Sequence, residues 1–150
     1  MGLCKEVTSG NLDEYLETVA EGWNLPRGSL EAERRVCVSA LEESPRHGYL
    51  YLARMDGKAV GTAALIVRGD YGYLLSAQVL EASRGRGACR ALVAARLASL
   101  RRANIESAVT HAREETSAPM LAHLGFETLF HWKCYLLDAQ EGSQSAACSS

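Results

Sequence analysis

The sequence predicts an α/β domain with a mixed, mainly antiparallel central sheet and helices on both faces. Two amphipathic segments come first, three strand-like segments separated by short turns follow, and strand and helix then alternate. With 150 residues, the chain can bury one substantial core but not two. Hydrophobic residues make up 47% of the chain and charged residues 23%, as is typical of a folded globular protein.

The N-terminal third is predicted to contain a short strand and two helices. The strand is expected over residues 5–8. Apolar residues at helical spacing predict a helix from Leu12 to Trp23, with Asn11 as its N-cap. Ser29 is expected to cap a second helix, which ends before Pro45. The residues expected on the buried side of that helix are Val36, Cys37, Ala40 and Leu41.

The pattern then changes to that of an antiparallel meander. Strands are predicted over residues 49–55, 59–67 and 71–80, because these segments are apolar and bounded by turn residues. The dipeptide Asp56-Gly57 between the first two strands is typical of a tight hairpin turn.

The last part of the chain is predicted to alternate helix and strand. A glycine-rich turn leads into a helix that ends near Arg102, with Cys89, Val93, Leu97 and Leu100 as its buried stripe. The next strand, over residues 107–112, should run parallel to the strand before the helix, because such crossovers are right-handed.

A short helix is predicted to begin near Pro119 and to end at Gly125, followed by a last strand from Glu127 to Leu137. We expect one domain over residues 1–138 and a disordered polar tail over 139–150.

The glycine-rich turn, Arg84-Gly85-Arg86-Gly87-Ala88-Cys89, is the main candidate binding site. Glycines allow the backbone to approach a ligand closely, and a helix N-terminus attracts anions. Six arginines and no acidic residue occur between Ala82 and Ile105, in a chain of net charge -2. The turn therefore predicts a pyrophosphate site, although a solvated arginine face would have the same composition. A P-loop is excluded because no Gly-Lys-Ser/Thr follows, and a dinucleotide fingerprint lacks its third glycine at Arg90.

Composition also excludes other classes of partner. A net charge of -2 argues against binding of nucleic acid or of an anionic membrane surface, and no apolar run is long enough to span a bilayer. The five cysteines are odd in number, widely spaced and without a CxxC pair. This pattern indicates reduced thiols in a cytoplasmic protein and predicts no metal site.

Two segments resemble the motifs of the GCN5-related N-acetyltransferase (GNAT) family. Residues 79–87, Val-Leu-Glu-Ala-Ser-Arg-Gly-Arg-Gly, resemble its cofactor signature, a strand ending in Val followed by Q/R-x-x-G-x-G/A. Residues 121–126, Leu-Ala-His-Leu-Gly-Phe, resemble its short helix ending in Gly-Phe. The predicted element order is also similar. The resemblance implies the acyl-CoA N-acyltransferase fold, with acetyl-CoA as co-substrate and no metal.

The resemblance further implies where acetyl-CoA would bind, between the strands predicted at 71–80 and 107–112. The backbone of Gln78, Val79 and Leu80 would pair with the pantetheine arm and polarise the thioester carbonyl. Ser117 and Met120 would line the far side of the arm. The pyrophosphate would be bound by the segment comprising Arg84, Gly85, Arg86, Gly87, Ala88, Cys89 and Arg90.

The sequence departs from the family pattern at two positions. Cys89 stands where the motif usually has Gly or Ala, and we interpret it as a packing residue. Leu121 stands where the family often has a Tyr that protonates the departing thiolate. A thiol with a pKa of about 8.5 can nevertheless leave as the thiolate.

His111 is the candidate general base, because it follows the strand that would border acetyl-CoA and because imidazole titrates near neutral pH. Each alternative also has an ordinary role as a loop charge or a packed aromatic residue. These alternatives are Glu114, Glu115, Tyr71, Tyr73, His131 and Trp132.

The function predicted from these features is transfer of an acetyl group from acetyl-CoA to a primary amine of a small molecule or peptide. The first alternative is a CoA-binding regulatory module without efficient turnover. The second is an arginine-rich interaction domain with no cofactor. The protein could form a homodimer whether it is an acetyltransferase or a CoA-binding module.

Overall fold

The computed structural model describes residues 3–137. The chain divides into two compact units, of which the first ends at His111 and the second begins at Ala112. The tail predicted over residues 139–150 lies outside the described residues.

A five-stranded sheet forms the centre of the first unit. Its strands are β1 (Cys4–Glu6), β2 (Gly48–Met55), β3 (Lys58–Arg68), β4 (Tyr71–Val79) and β5 (Ser107–Thr110), and they lie side by side in chain order. The first four strands are antiparallel neighbours, whereas β5 runs parallel to β4. The predicted mixed, mainly antiparallel sheet is thus confirmed, including the parallel crossover.

The β2–β3 hairpin turns at the dipeptide that the sequence indicated. Asp56 has φ 51° and Gly57 has φ 78°, so both central residues adopt the left-handed conformation. Two such residues in succession match the twist of the flanking strands in a two-residue hairpin.

Helices cover both faces of this sheet. They are α1 (Leu12–Trp23), α2 (Leu30–Glu42) and α3 (Ala88–Arg102). α1 packs on β3 and β4 and α2 on β2, while α3 packs across β1 to β4. Side chains alternate along a strand. Leu50 and Leu52 therefore belong to the core under α1, whereas the Tyr51 hydroxyl meets Ser99 of α3 at 2.7 Å.

The core between the sheet and the first two helices is apolar and nearly solvent-free. It consists of Val7, Leu12, Tyr15, Leu16, Val19, Cys37, Leu50, Leu52 and Ala64.

Several predictions about individual helix residues were wrong. Val36 is 65% exposed, because α2 buries only the stripe that contains Cys37. Asn11 is the N-cap of α1, as predicted, but its side chain makes no capping hydrogen bond and instead accepts one from the Thr8 N–H at 2.7 Å. On α3 the fully buried stripe includes Leu92 and Arg96, which were not predicted to be buried. Periodicity identifies residues that share a helix face, but the packing of the helix on the sheet decides which face is inside.

The second unit contains α4 (Ser117–His123), which follows the predicted helix closely. The chain reverses at Gly125, where φ is 92°, and the Phe126 N–H donates to the Leu121 carbonyl at 3.1 Å. The prediction of a strand over Glu127–Leu137 was wrong, since the structure has no strand there. A strand requires a hydrogen-bonded partner, and strand propensity alone does not supply one.

Candidate functional site

The glycine-rich turn connects the end of β4 to the start of α3. Gly85 has φ 73° and Gly87, the N-cap of α3, has φ 92°. These left-handed conformations strain any residue with a Cβ, which explains why glycine is used twice in three residues. A Cβ built on either glycine would have no heavy atom within 4 Å. The turn therefore faces open space.

The backbone of this turn is rich in available donors. Between Gly85 and Arg90, no backbone N–H has an acceptor within the described residues, and the first helical bond is from Ala91 N–H to Gly87 O at 3.0 Å. Such a run of N–H groups at the positive end of a helix dipole is suited to an anion.

The arginines are distributed differently from what the sequence suggested. Arg84, Arg86 and Arg90 are exposed at the turn. Arg86 lies 3.3 Å from the Asp56 carboxylate, and the Arg84 Nε donates to the Val79 carbonyl at 3.2 Å. The other three arginines of this segment lie further along α3, so the positive charge at the turn comes from half of the predicted cluster.

Cys89 lies in the first turn of α3 and is half-buried. Burial raises the pKa of its thiol, so the thiol is protonated at neutral pH. A protonated, half-buried thiol is a poor nucleophile, which supports the interpretation of Cys89 as a packing residue.

A β-bulge interrupts β4 just before the turn. Ala64 pairs with Leu75 and Thr62 pairs with Gln78, so β4 has one more residue than β3 between these pairs. Ser76, within the bulge, has φ 50°, a rare conformation for a residue other than glycine. Bulges change the direction of a strand and commonly occur beside functional sites.

Beyond the bulge, one edge of β4 is open. The parallel ladder between β4 and β5 ends at the pair Leu74 and Thr110, whereas β4 continues to Val79. The Thr110 hydroxyl donates to the Leu74 carbonyl at 2.8 Å and so completes the ladder. The residues of β4 after Leu74 have no strand partner on the β5 side within the described part of the chain. This open edge leads directly to the glycine-rich turn.

Gln78 and Leu80, two of the residues predicted to bind the pantetheine arm, already have hydrogen-bond partners within the chain. The Leu80 N–H already donates to Val60 O at 2.8 Å, and the Leu80 carbonyl accepts from the Ser83 N–H at 2.9 Å. The Gln78 side chain connects α1 and β3, because its Nε2 donates to the Thr18 carbonyl of α1 and to the Thr62 hydroxyl of β3, both at 3.0 Å. The Gln78 side chain therefore anchors the strand, and Gln78 is paired with Thr62 in the β3–β4 ladder.

His111 lies immediately after β5, at the point where β4 and β5 separate. Its Nδ1 is 3.0 Å from the Tyr73 hydroxyl, and the two rings meet edge to face with centroids 5.6 Å apart. In the tautomer whose Nδ1–H donates a hydrogen bond to the Tyr73 hydroxyl, Nε2 is the unprotonated ring nitrogen of His111. The sequence pointed to both residues but not to their contact, which the β4–β5 register determines.

Of the remaining predicted residues, Tyr71 begins β4, and the others belong to the second unit. Ser117 and Met120 lie in α4, and the Ser117 hydroxyl accepts a hydrogen bond from the Arg113 N–H at 3.0 Å. Leu121, at the position of the family's tyrosine, is buried. Glu114 lies 4.0 Å from the His131 ring, and both side chains are exposed.

Within residues 3–137, no group of three or more His, Cys, Asp or Glu residues could hold a metal ion. None of the helices described there is long and apolar enough to cross a membrane.

The fold and the site together define an α/β domain in which an open strand edge leads to a glycine-rich turn at a helix N-terminus. The sequence profile of the acetyltransferase (GNAT) family matches residues 12–126. The chain therefore belongs to this family, as the motifs indicated. No curated protein matches the chain.

Several solved structures are similar in fold. The aminoglycoside antibiotic 6'-N-acetyltransferase of Acinetobacter haemolyticus has a TM-score of 0.71 at 18% identity, covering 90% of this chain and 97% of that chain. Glucosamine-6-phosphate N-acetyltransferase of Arabidopsis thaliana has a TM-score of 0.73 at 10% identity, covering 90% and 97%. A predicted acetyltransferase of Clostridium acetobutylicum, solved with acetyl-CoA, has a TM-score of 0.69 at 14% identity, covering 92% and 96%.

Proposed function

We propose that the protein transfers the acetyl group of acetyl-CoA directly to a primary amine of a small molecule or peptide. One observation carries the proposal: the open edge of β4 continues into a turn whose backbone N–H groups, from Gly85 to Arg90, lack internal acceptors. An extended arm followed by a pyrophosphate is complementary to these two features in that order.

The described residues fit acetyl-CoA as a substrate. The N–H groups from Gly85 to Arg90 would bind the pyrophosphate, with charge from Arg84, Arg86 and Arg90. The β4 backbone at Val79 would pair with the pantetheine arm, whereas the Leu80 N–H and carbonyl already have partners and Gln78 pairs with β3. The open space next to Gly85 and Gly87 leaves room for the phosphates.

Acetyl-CoA supplies a thioester, whose carbonyl carbon an amine can attack directly. In the proposed reaction the amine nitrogen forms the new C–N bond, the C–S bond breaks, and CoA leaves as the thiolate. A backbone N–H at the open β4 edge would stabilise the negative charge on the carbonyl oxygen. Since Leu121 cannot donate a proton, the thiolate would be protonated by solvent.

His111 is the proposed proton acceptor. The attacking nitrogen must lose a proton, and His111 lies where β4 and β5 separate, next to the open edge. Tyr73 would hold the imidazole in place through its contact with Nδ1.

Two experiments test the proposal. Calorimetry with acetyl-CoA tests cofactor binding, and absence of binding at sub-millimolar concentration would reject the proposal. Release of the CoA thiol is then measured with a panel of aminoglycosides, amino sugars and peptides with free amines. We expect thiol release above the hydrolysis background with at least one amine.

A CoA-binding regulatory module is the second candidate, and the buried Leu121 in place of a proton donor favours it. This candidate predicts acetyl-CoA binding with no amine-dependent thiol release. It also predicts that His111→Gln changes neither property, whereas the enzyme proposal predicts a loss of turnover.

A further inference from the structure

Arg96 is an arginine buried in the middle of α3, with only 2% of its surface exposed. Its Nε donates to the carbonyl of Leu92, one turn earlier, at 3.0 Å. Its Nη1 reaches two strand carbonyls, Ala64 O at 3.2 Å and Leu75 O at 3.5 Å. One guanidinium group therefore connects α3 to both β3 and β4.

Among the described residues, no carboxylate forms an ion pair with this buried charge. None of the ion pairs among residues 3–137 includes Arg96. Burial lowers its pKa to about 10, so it stays charged at neutral pH, and the nearby titratable groups are Cys89, Cys4 and Tyr51. Burying a cation without a counter-ion opposes folding, and an apolar side chain of similar volume often stabilises a protein at least as well. Stability alone therefore does not account for an arginine at this position.

The two strand carbonyls that Arg96 reaches lie at the β4 bulge. Ala64 and Leu75 form the last pair before the bulge, and the next two β4 residues, Ser76 and Ala77, share a single opposing residue on β3. Arg96 thus donates hydrogen bonds to both strands at the point where β4 changes direction.

The same helix carries the anion-binding turn. α3 begins at Ala88, eight residues before Arg96, which places the turn about 12 Å along the helix axis from the arginine. The open edge of β4 begins after Leu74, next to the carbonyl that Arg96 holds. Arg96 is therefore a direct polar connection between the helix of the turn and the strand of the open edge.

We propose that Arg96 is a positioning residue for acyl-CoA binding. By donating to the Ala64 and Leu75 carbonyls, it keeps the β4 bulge, and with it the open edge, in place relative to the glycine-rich turn. The inference rests on the proposed function. Arg96 acts through the backbone and not by contact with the substrate.

Three variants test this proposal. Arg96→Met removes the charge and the donors at similar length, and Arg96→Lys keeps the charge and part of the donor capacity. Arg101→Met removes an exposed arginine of the same helix and is the matched control. Calorimetry measures binding of acetyl-CoA, which spans the turn and the edge, and of ADP, whose pyrophosphate probes the turn alone. Hydrogen exchange followed by mass spectrometry measures protection of residues 72–80.

We expect Arg96→Met to weaken acetyl-CoA binding about tenfold, the factor that loss of one hydrogen bond from a charged donor produces. ADP binding and the unfolding midpoint should be unchanged, while residues 72–80 exchange faster. Arg96→Lys should recover part of the acetyl-CoA affinity, and Arg101→Met should match the unmodified protein.

Unchanged acetyl-CoA binding together with unchanged exchange in Arg96→Met would overturn the proposal, as would equal losses of ADP and acetyl-CoA affinity. If Arg96→Met does not fold, Arg96→Lys decides: weaker acetyl-CoA binding with normal ADP binding supports the proposal, and normal binding of both overturns it. Should the unmodified protein bind neither ligand, the proposed function fails, whereas the exchange rates still test whether Arg96 holds the bulge.

Discussion

Substitution of Gly87 by glutamate would place a negative charge at the centre of the turn that is proposed to bind the pyrophosphate. Gly87 has φ 92° and ψ -3°, and a Cβ there meets no heavy atom within 4 Å. Any side chain therefore fits sterically, and the cost to folding is the backbone conformation alone, about 1 kcal/mol. Gly87→Gln carries the same cost without the charge and is the matched control.

The expected loss of affinity follows from Coulomb's law. A carboxylate about 5 Å from one phosphate charge is repelled by about 1 kcal/mol in water and by about 3 kcal/mol at a dielectric constant of about 20. Gly87→Glu should therefore bind acetyl-CoA about 10- to 100-fold more weakly than Gly87→Gln at low ionic strength. The difference should shrink as salt is added, because the two charges are close to solvent.

The assay is calorimetry of both variants with acetyl-CoA at low and high salt, and urea unfolding checks that their stabilities match. Equal affinities of the two variants at low salt would show that no phosphate lies near residue 87. A salt-independent difference would show that the glutamate acts through something other than its charge.

Three other predictions concern catalysis, the core and pH. His111→Gln should abolish most amine-dependent thiol release while leaving acetyl-CoA affinity unchanged; turnover equal to that of the unmodified protein would exclude His111 as the base. Leu52→Ala should lower the free energy of unfolding by about 2–5 kcal/mol, because Leu52 is fully buried under α1. Leu129→Ala, at a side chain that is 76% exposed, should change it little in the same urea titration. Burial raises the pKa of the Cys4 thiol from its ordinary 9.0 to about 11. The unfolded chain therefore loses this proton first, and stability should fall as pH rises from 9 to 11. The free energy of unfolding of Cys4→Ala should fall less steeply over that pH range. An equal slope in the two proteins would contradict the raised pKa of Cys4.

The features that could be predicted from the sequence are those with a local physical cause. Apolar spacing from Leu12 to Trp23 predicted α1, because a helix repeats every 3.6 residues. Asp56-Gly57 predicted the hairpin, since both residues tolerate positive φ. The two glycines predicted the turn before α3, where both adopt positive φ, and the anion site assigned to that turn stays a prediction. The parallel β5 followed from the handedness of crossovers.

The features that depend on packing between distant segments could not be predicted in this way. Val36 has the right spacing for burial but lies outside the stripe of α2 that the sheet covers. The segment from Glu127 to Leu137 has a strand-like composition, yet the structure contains no strand there.

The sequence by itself determined the class of fold, the family and the position of the glycine-rich turn, because short-range periodicity and turn chemistry specify each of them. Only the tertiary structure decided how the site is built. Pairing between β3 and β4 created the bulge, the β4–β5 register brought His111 to Tyr73, and the packing of α3 buried Arg96 against two strand carbonyls. Register and burial are relations between residues far apart in the chain, so no local pattern contains them.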